Sequence, residues 1–285
     1  MDVTLFLENS ALAFAVTAAV LGLIVGSFLN VVIHRLPIML EKQWQIESGT
    51  APPASEKYNL VIPRSRCPHC GHAITAVENI PVLSYLALHG RCRGCGQRIS
   101  PRYLAVEILC GLLSGWVAWH FGFSWQTCAG LLLTWGLLVL AGIDLEKQLL
   151  PDAITLPLLW LGLLLNAGNV FTDLRSAVIG AAAGYLSLWC VFHLFRLLTG
   201  KEGMGYGDFK LLALIGAWLG WREVPTVIFM AAGVGSLVGI SLLLSRRLRP
   251  ETPIPFGPYL TAAGWIALLW GRPLTDAYLG ISGMR

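Results

Sequence analysis

Apolar positions along this 285-residue chain do not alternate with polar ones but gather into long continuous runs. Eight runs lie near 11–33, 103–121, 125–143, 152–170, 176–198, 208–220, 224–244 and 257–271. Most approach the ~20 residues that a helix rising 1.5 Å per residue needs to cross ~30 Å of hydrocarbon. Only helices and closed barrels satisfy their backbone polar groups in lipid, and barrel strands alternate with period two, which these runs do not. The pattern predicts an all-α polytopic membrane protein with about eight transmembrane helices. The sixth run, 208–220, is short for a span. The first starts ten residues in, without a basic flank or a small-residue cleavage site, so it reads as a retained anchor and not a signal peptide.

Composition agrees with lipid as the main solvent, since 55% of residues are apolar and 13% charged, with a mean hydropathy of +0.66. A soluble domain does not hide that much apolar surface from water. Charge then orients the spans, because Lys and Arg in short loops stay on the cytoplasmic side. With eight helices, sixteen of the twenty Lys and Arg fall on one face, nine of them between Arg35 and Arg102 and three at Arg246, Arg247 and Arg249. The other face keeps Arg175, Arg222, Arg272 and Arg285. The chain is thus expected to be a multi-pass membrane protein with both termini facing away from the cytoplasm and the long polar loop within it. Its net charge of +4 follows from this topology and gives no reason to expect a nucleic-acid partner; the partner it implies is the lipid bilayer.

Three segments follow: a first transmembrane anchor over 1–33, a cytoplasmic loop domain over 34–102, and a multi-helix membrane domain over 103–285. Within the loop, residues 41–60 are polar and Pro-containing and are expected to be irregular. The loop also holds Cys67-Pro-His-Cys70-Gly and Cys92-Arg-Gly-Cys95-Gly, two CxxC knuckles 21 residues apart. Two residues between thiols let both sulfurs approach one tetrahedral ion at ~2.3 Å, as in four-thiolate zinc ribbons. A redox pair or disulfides are the alternative, which a reducing cytoplasmic face disfavours. Four thiolates close the coordination sphere, so zinc at Cys67, Cys70, Cys92 and Cys95 would be structural, in a small zinc-ribbon-like domain. His69 and His72 lie close enough to compete but are expected to be bystanders.

An ionisable group at a membrane helix end is costly and hence a functional candidate. Asp144, Asp152 and Asp208 all map to cytoplasmic helix ends. Two carboxylates held close cannot both ionise easily, which leaves one acid and one base, the arrangement that activates water against a peptide carbonyl. The glycines of Gly205-Tyr206-Gly207-Asp208 would give an extended peptide room to approach. A purely structural account is equally open at this point: Asp208 capping a helix, Asp144 an interfacial charge, Asp152 a helix start. Glu78, Glu107 and Glu146 read either as attractors of a basic peptide or as ordinary loop charges. The Trp residues at helix ends read as interface anchors, and GAAAG at 180–184 and GVGSLVG at 233–239 as close helix packing.

Taken together the motifs resemble the type IV prepilin leader peptidases, a family of GxGD-type membrane aspartic peptidases. The matching phrases are GSFLNVVIHRLP at 26–37, the two CxxC knuckles, ENIPVLSYLALHGRCRGCG at 78–96, ISPRYLAVE at 99–107, IDLEKQLLPD at 143–152, GYGD at 205–208 and PFGP at 255–258. They cover nearly the whole chain. ISPRYLAVE departs from the usual phrase, with Leu104-Ala105 in place of Pro-Leu and an added Pro101. The resemblance implies that Asp144 and Asp208 are the catalytic aspartates and leaves Asp152 at most a supporting role. It also implies that the enzyme lies in the bacterial cytoplasmic (inner) membrane with its termini periplasmic, and cleaves the short leader of type IV prepilins and type II secretion pseudopilins at the cytoplasmic face. Many members also methylate the new N-terminal amine with S-adenosylmethionine, and the glycine tied to that step corresponds to Gly90. No GxGxxG loop is present, so the methyl donor would need a site of another kind. Rival expectations are a peptidase without methyl transfer, an intramembrane protease of the presenilin kind, and a non-enzymatic transporter or assembly scaffold. The presenilin reading is disfavoured because Asp144 follows Ile143 where a Tyr is usual and because of the four-cysteine loop.

Overall fold

The computed structural model describes residues 7–50, 58–201, 203–245 and 254–281. Among these, eight helices of 14 residues or more meet the eight apolar runs: α1 Ala11–Glu47, α3 Pro101–Phe121, α4 Trp125–Lys147, α5 Asp152–Ala167, α6 Leu174–Thr199, α7 Tyr206–Leu219, α8 Glu223–Leu244 and α9 Gly257–Ile281. A short α2, Leu83–Ala87, lies in the loop. The protein is an all-α polytopic membrane protein, and α1, α3, α4, α6 and α8 are long and apolar enough to cross a bilayer. Lys57, Arg246, Arg247, Arg249 and Arg285, which entered the charge count, lie outside the described residues.

Of residues 41–60, expected to be irregular, 51–57 lie outside the described residues, while 41–47 instead extend α1 as an exposed helix to Glu47. Their sequence, Glu-Lys-Gln-Trp-Gln-Ile-Glu, is rich in straight-chain helix formers, and Gln43 Nε2 bonds Glu47 Oε1 at 2.8 Å one turn on. Polarity alone therefore misled, because it says nothing of propensity.

The chain divides into two compact units, Met1–Val139 and Leu140–Arg285. In the first, α1 and α3 pack through small residues. A Cβ on Gly22 would lie 2.5 Å from Ser114 Oγ, and one on Gly26 would lie 2.9 Å from the Glu107 Cα. Helices approach this closely in lipid only where side chains are absent. Polar groups line the same seam. Asn30 donates to the Tyr103 carbonyl at 3.0 Å, whereas its own carbonyl oxygen is buried without a protein partner. An unmet buried acceptor costs about 1–3 kcal/mol.

In the second unit α7 is central, and every residue from Leu211 to Trp218 is buried. Gly180 and Gly184 of α6 sit directly on the α7 backbone at Gly216 and Leu212, as the GAAAG string suggests. GVGSLVG packs at two of its three glycines: a Cβ on Gly235 would lie 3.3 Å from the Tyr259 ring and one on Gly239 3.4 Å from the Ile254 side chain, while Gly233 has nothing within 4 Å. Asn166 of α5 is fully buried and locks the far end of α7, donating to the Ala217 and Trp218 carbonyls at 2.9 and 2.8 Å. Its oxygen accepts from the Phe171 and Thr172 amides, so all its polar capacity is met by backbone.

Candidate functional site

Helix α4 ends on Ile143-Asp144-Leu145-Glu146-Lys147, which places Asp144 in its last turn with its side chain 5% exposed. Its Oδ2 accepts the Gly257 amide at 3.0 Å. Gly257 opens α9, so the carboxylate sits at a helix N-terminus, where unpaired amides favour negative charge. The fit leaves no spare room, since a Cβ on Gly257 would lie 2.6 Å from the same oxygen.

Asp208 is the third residue of α7 and is 6% exposed. Gly205 precedes the helix in extended conformation, and the Asp208 amide turns back onto the Gly205 carbonyl at 3.2 Å. Although 64 residues apart in sequence, the two aspartates lie within electrostatic reach of each other, Asp144 being the charge that acts on Asp208. Two buried carboxyls within electrostatic reach of each other can divide the roles of acid and base around one water.

Asp152 stands apart from this pair. It begins α5, is half-exposed, and binds Lys210 Nζ at 2.7 Å through both oxygens. Leu150 covers Gly207, whose added Cβ would lie 2.8 Å from the Leu150 Cβ. The segment from Asp144 to Asp152 is therefore fastened to the GYGD turn beside Asp208. Neither of these contacts, nor the Gly257 amide on Asp144, is expected from spacing. PFGP at 255–258 is visible as a motif but does not reveal what it touches.

The four loop cysteines converge, and their sulfurs lie within 4.8 Å of one another. Cys67 and Cys95 are 3.9 Å apart, as are Cys70 and Cys92. A tetrahedron with metal–sulfur bonds of ~2.3 Å has edges of about 3.8 Å, so the cluster could bind zinc. Both knuckles share one backbone pattern. Gly71 N bonds Cys67 O, Gly96 N bonds Cys92 O, and both glycines have φ +72°, a conformation that side chains disfavour. Amides of Cys70 and His69 push the Cys67 thiol down to about 6. Cys70, despite the His72 amide facing it, is pushed up to about 12 by burial and by its three neighbouring sulfurs. That crowding is what a divalent cation relieves. His72 stands outside the cluster, with Nε2 3.2 Å from Glu78.

Gly90 follows α2 with φ +66°, and a Cβ there would lie 2.9 Å from the Tyr85 ring. Its carbonyl accepts the Ile99 amide at 2.7 Å, which ties the turn to the residues leading into α3.

Comparison with known proteins places this geometry in a family. Residues 20–121 match the Bacterial Peptidase A24 N-terminal domain, and residues 131–240 match the Type IV leader peptidase family. A Prepilin leader peptidase/N-methyltransferase of Stutzerimonas stutzeri is 57% identical over 96% of each chain. Proteins of the same name from Pseudomonas aeruginosa and Aeromonas salmonicida are 55% and 59% identical, covering 98% of both chains and 90% and 91%, respectively. No solved structure gives a significant match. Relatives this similar over nearly their whole length leave no doubt of descent, and the chain belongs to the type IV leader peptidase family.

Proposed function

We propose that this protein is a membrane aspartic endopeptidase that removes the leader of type IV prepilins and type II secretion pseudopilins, and then N-methylates the new N-terminal residue. The name its relatives carry supports both activities. The observation that carries the peptidase reading is that Asp144 and Asp208, both buried, lie within electrostatic reach of each other.

In this reading one carboxylate takes a proton from water as its oxygen adds to the scissile carbonyl carbon. The other carboxyl, protonated, gives its proton to the carbonyl oxygen, and the departing amine takes one as the C–N bond breaks. The Gly257 amide holds Asp144 in place throughout. Positive charge in the loops puts both aspartates and the cysteine loop on the cytoplasmic side of the inner membrane and the termini in the periplasm. Cys67, Cys70, Cys92 and Cys95 hold a zinc ion that braces the loop and leaves no coordination position for substrate. S-adenosylmethionine supplies an electrophilic methyl group when bound. Gly90 supports the methylation step through the turn that only a small residue permits at that position.

The test is cleavage of a prepilin in detergent by wild type, Asp144→Asn and Asp208→Asn, with the product N-terminus read by mass spectrometry with and without S-adenosylmethionine. Folded but inert variants, and a product that gains one methyl mass only with the donor, support the reading. A variant that still cuts overturns the pair. Cutting without methylation leaves a peptidase alone.

A further inference from the structure

Methyl transfer to an amine requires a place where an amine is held, and the first unit contains a polar cluster that peptide cleavage does not use. Glu107, on α3, accepts the Val82 amide at 2.8 Å through Oε2. Val82 has φ +62°, and Leu83 N reaches back to Pro81 O at 2.6 Å, closing a tight γ-turn at a β-branched residue. This conformation is rare and strained. The Ser27 hydroxyl, from α1, lies beside Glu107 and donates to Asn79 Oδ1 at 3.4 Å.

Asn30 follows Ser27 by one turn of α1, is 4% exposed, and has an oxygen without a partner. Its nitrogen is fixed on Tyr103 O, one turn before Glu107 on α3. Helical side chains lean toward the helix N-terminus, which carries the Glu107 carboxylate toward the level of Asn30. The Val82 amide that bonds this carboxylate and the Ser27 hydroxyl beside it are both neutral. A partly buried anion and an orphaned carbonyl on one helix seam select a ligand that is cationic and rich in N–H donors.

We propose that Glu107, Asn30 and Ser27 form an ammonium-binding site in the first unit. The ligand is a primary ammonium, either that of the amino-acid end of the methyl donor or the new N-terminal amine of the cleaved substrate. This inference rests on the methyl-transfer part of the proposed function.

Binding to the full detergent-solubilised chain tests it by calorimetry with two pairs of probes. S-adenosylhomocysteine is compared with 5′-methylthioadenosine, which lacks the amino-acid group, and a short peptide with a free N-terminal amine is compared with its N-acetylated twin. The expected result is that one free-amine probe binds wild type, weakens at least tenfold in Glu107→Gln, and is restored to within a few-fold in Glu107→Asp. Its amine-free twin does not respond to these changes. Which pair responds identifies the source of the ammonium.

Equal binding of both free-amine probes to wild type and Glu107→Gln overturns the site, as does failure of both to bind wild type. Should Glu107→Gln fail to fold, Asn30→Leu keeps the charge and removes the orphaned oxygen; unchanged binding there overturns it too. Wild-type methyl transfer in the same detergent tests the parent reading separately. A chain that methylates but whose probe binding ignores Glu107 loses only the site, and one that transfers no methyl group yet binds an amine through Glu107 loses only the parent reading.

Discussion

Lys210 Nζ lies 2.7 Å from both carboxylate oxygens of Asp152, joining the start of α5 to the first turns of α7 two residues beyond Asp208. Asp152 is thereby the one aspartate of the IDLEKQLLPD phrase that is already paired with a cation and open to solvent, with 53% of its side chain exposed. A carboxylate so engaged is a poor general base, and the pair acts instead to steady the GYGD turn. Exposed ion pairs contribute about 0.2–1 kcal/mol. Asp152→Asn and Lys210→Met should therefore each reduce prepilin cleavage less than about tenfold, and the double variant should do little more. Loss in Asp152→Asn as complete as in Asp208→Asn would mean that the acid–base pair has been misassigned.

The proposed acid–base pair, Asp144 and Asp208, should respond on another scale. Positioned acid or base catalysis contributes about 10²–10⁴-fold. Asp144→Asn and Asp208→Asn should each fall by at least that much, with the double variant no worse than either single, because the two groups act as one unit. Initial rates of leader cleavage, on protein whose thermal unfolding matches wild type, decide the matter.

Gly257 offers a sharper test because it carries no chemistry of its own. A methyl group there would lie 2.6 Å from Asp144 Oδ2, so the carboxylate has to move. Displacement of a catalytic group by about 1 Å costs on the order of 10²-fold in rate. Gly257→Ala should show that loss in turnover, with a smaller change in KM, while Gly233→Ala, which meets nothing within 4 Å, should leave cleavage unchanged. Equal activity in both would deny that Asp144 needs the α9 terminus.

Much of this architecture was legible in the sequence because lipid imposes a simple rule: an apolar run long enough to span becomes a helix, and the eight runs did. The cysteine cluster was legible for a similar reason, since CxxC spacing constrains sulfur geometry locally. Long-range pairings were not. Asp144 meets an amide 113 residues away, Asp152 a lysine 58 away, and Asn30 a carbonyl 73 away. Each depends on how helices pack, and apolar periodicity within one helix carries no record of its neighbours. Residues 41–47 failed for the opposite reason: their helicity is local, but it resides in propensity and not in polarity.

Metal removal should separate the two proposed activities. If zinc braces only the loop, Cys67→Ser or Cys92→Ser, or treatment with a strong chelator, should lower methylation more than cleavage. Metal content by mass spectrometry should drop in parallel from one zinc per chain. Equal loss of both activities would mean that the brace also supports the peptidase.

Acid should weaken the same loop through a second group. The Thr75 amide, together with His72 and the Thr75 hydroxyl, holds the Glu78 carboxyl down at about 2, below its ordinary 4.5. A carboxyl depressed on folding stabilises the folded loop fully above its ordinary value and loses that contribution as pH falls from about 4.5 toward 2. Glu78→Gln cannot titrate, so it should be less resistant to proteolysis of the loop than wild type at pH 7. The difference should shrink on acidification below about 4.5. Both proteins are compared after removal of metal, so that acid release of zinc does not itself close the gap. A gap between the two that persists unchanged down to pH 3 would show that Glu78 acts through shape and not charge.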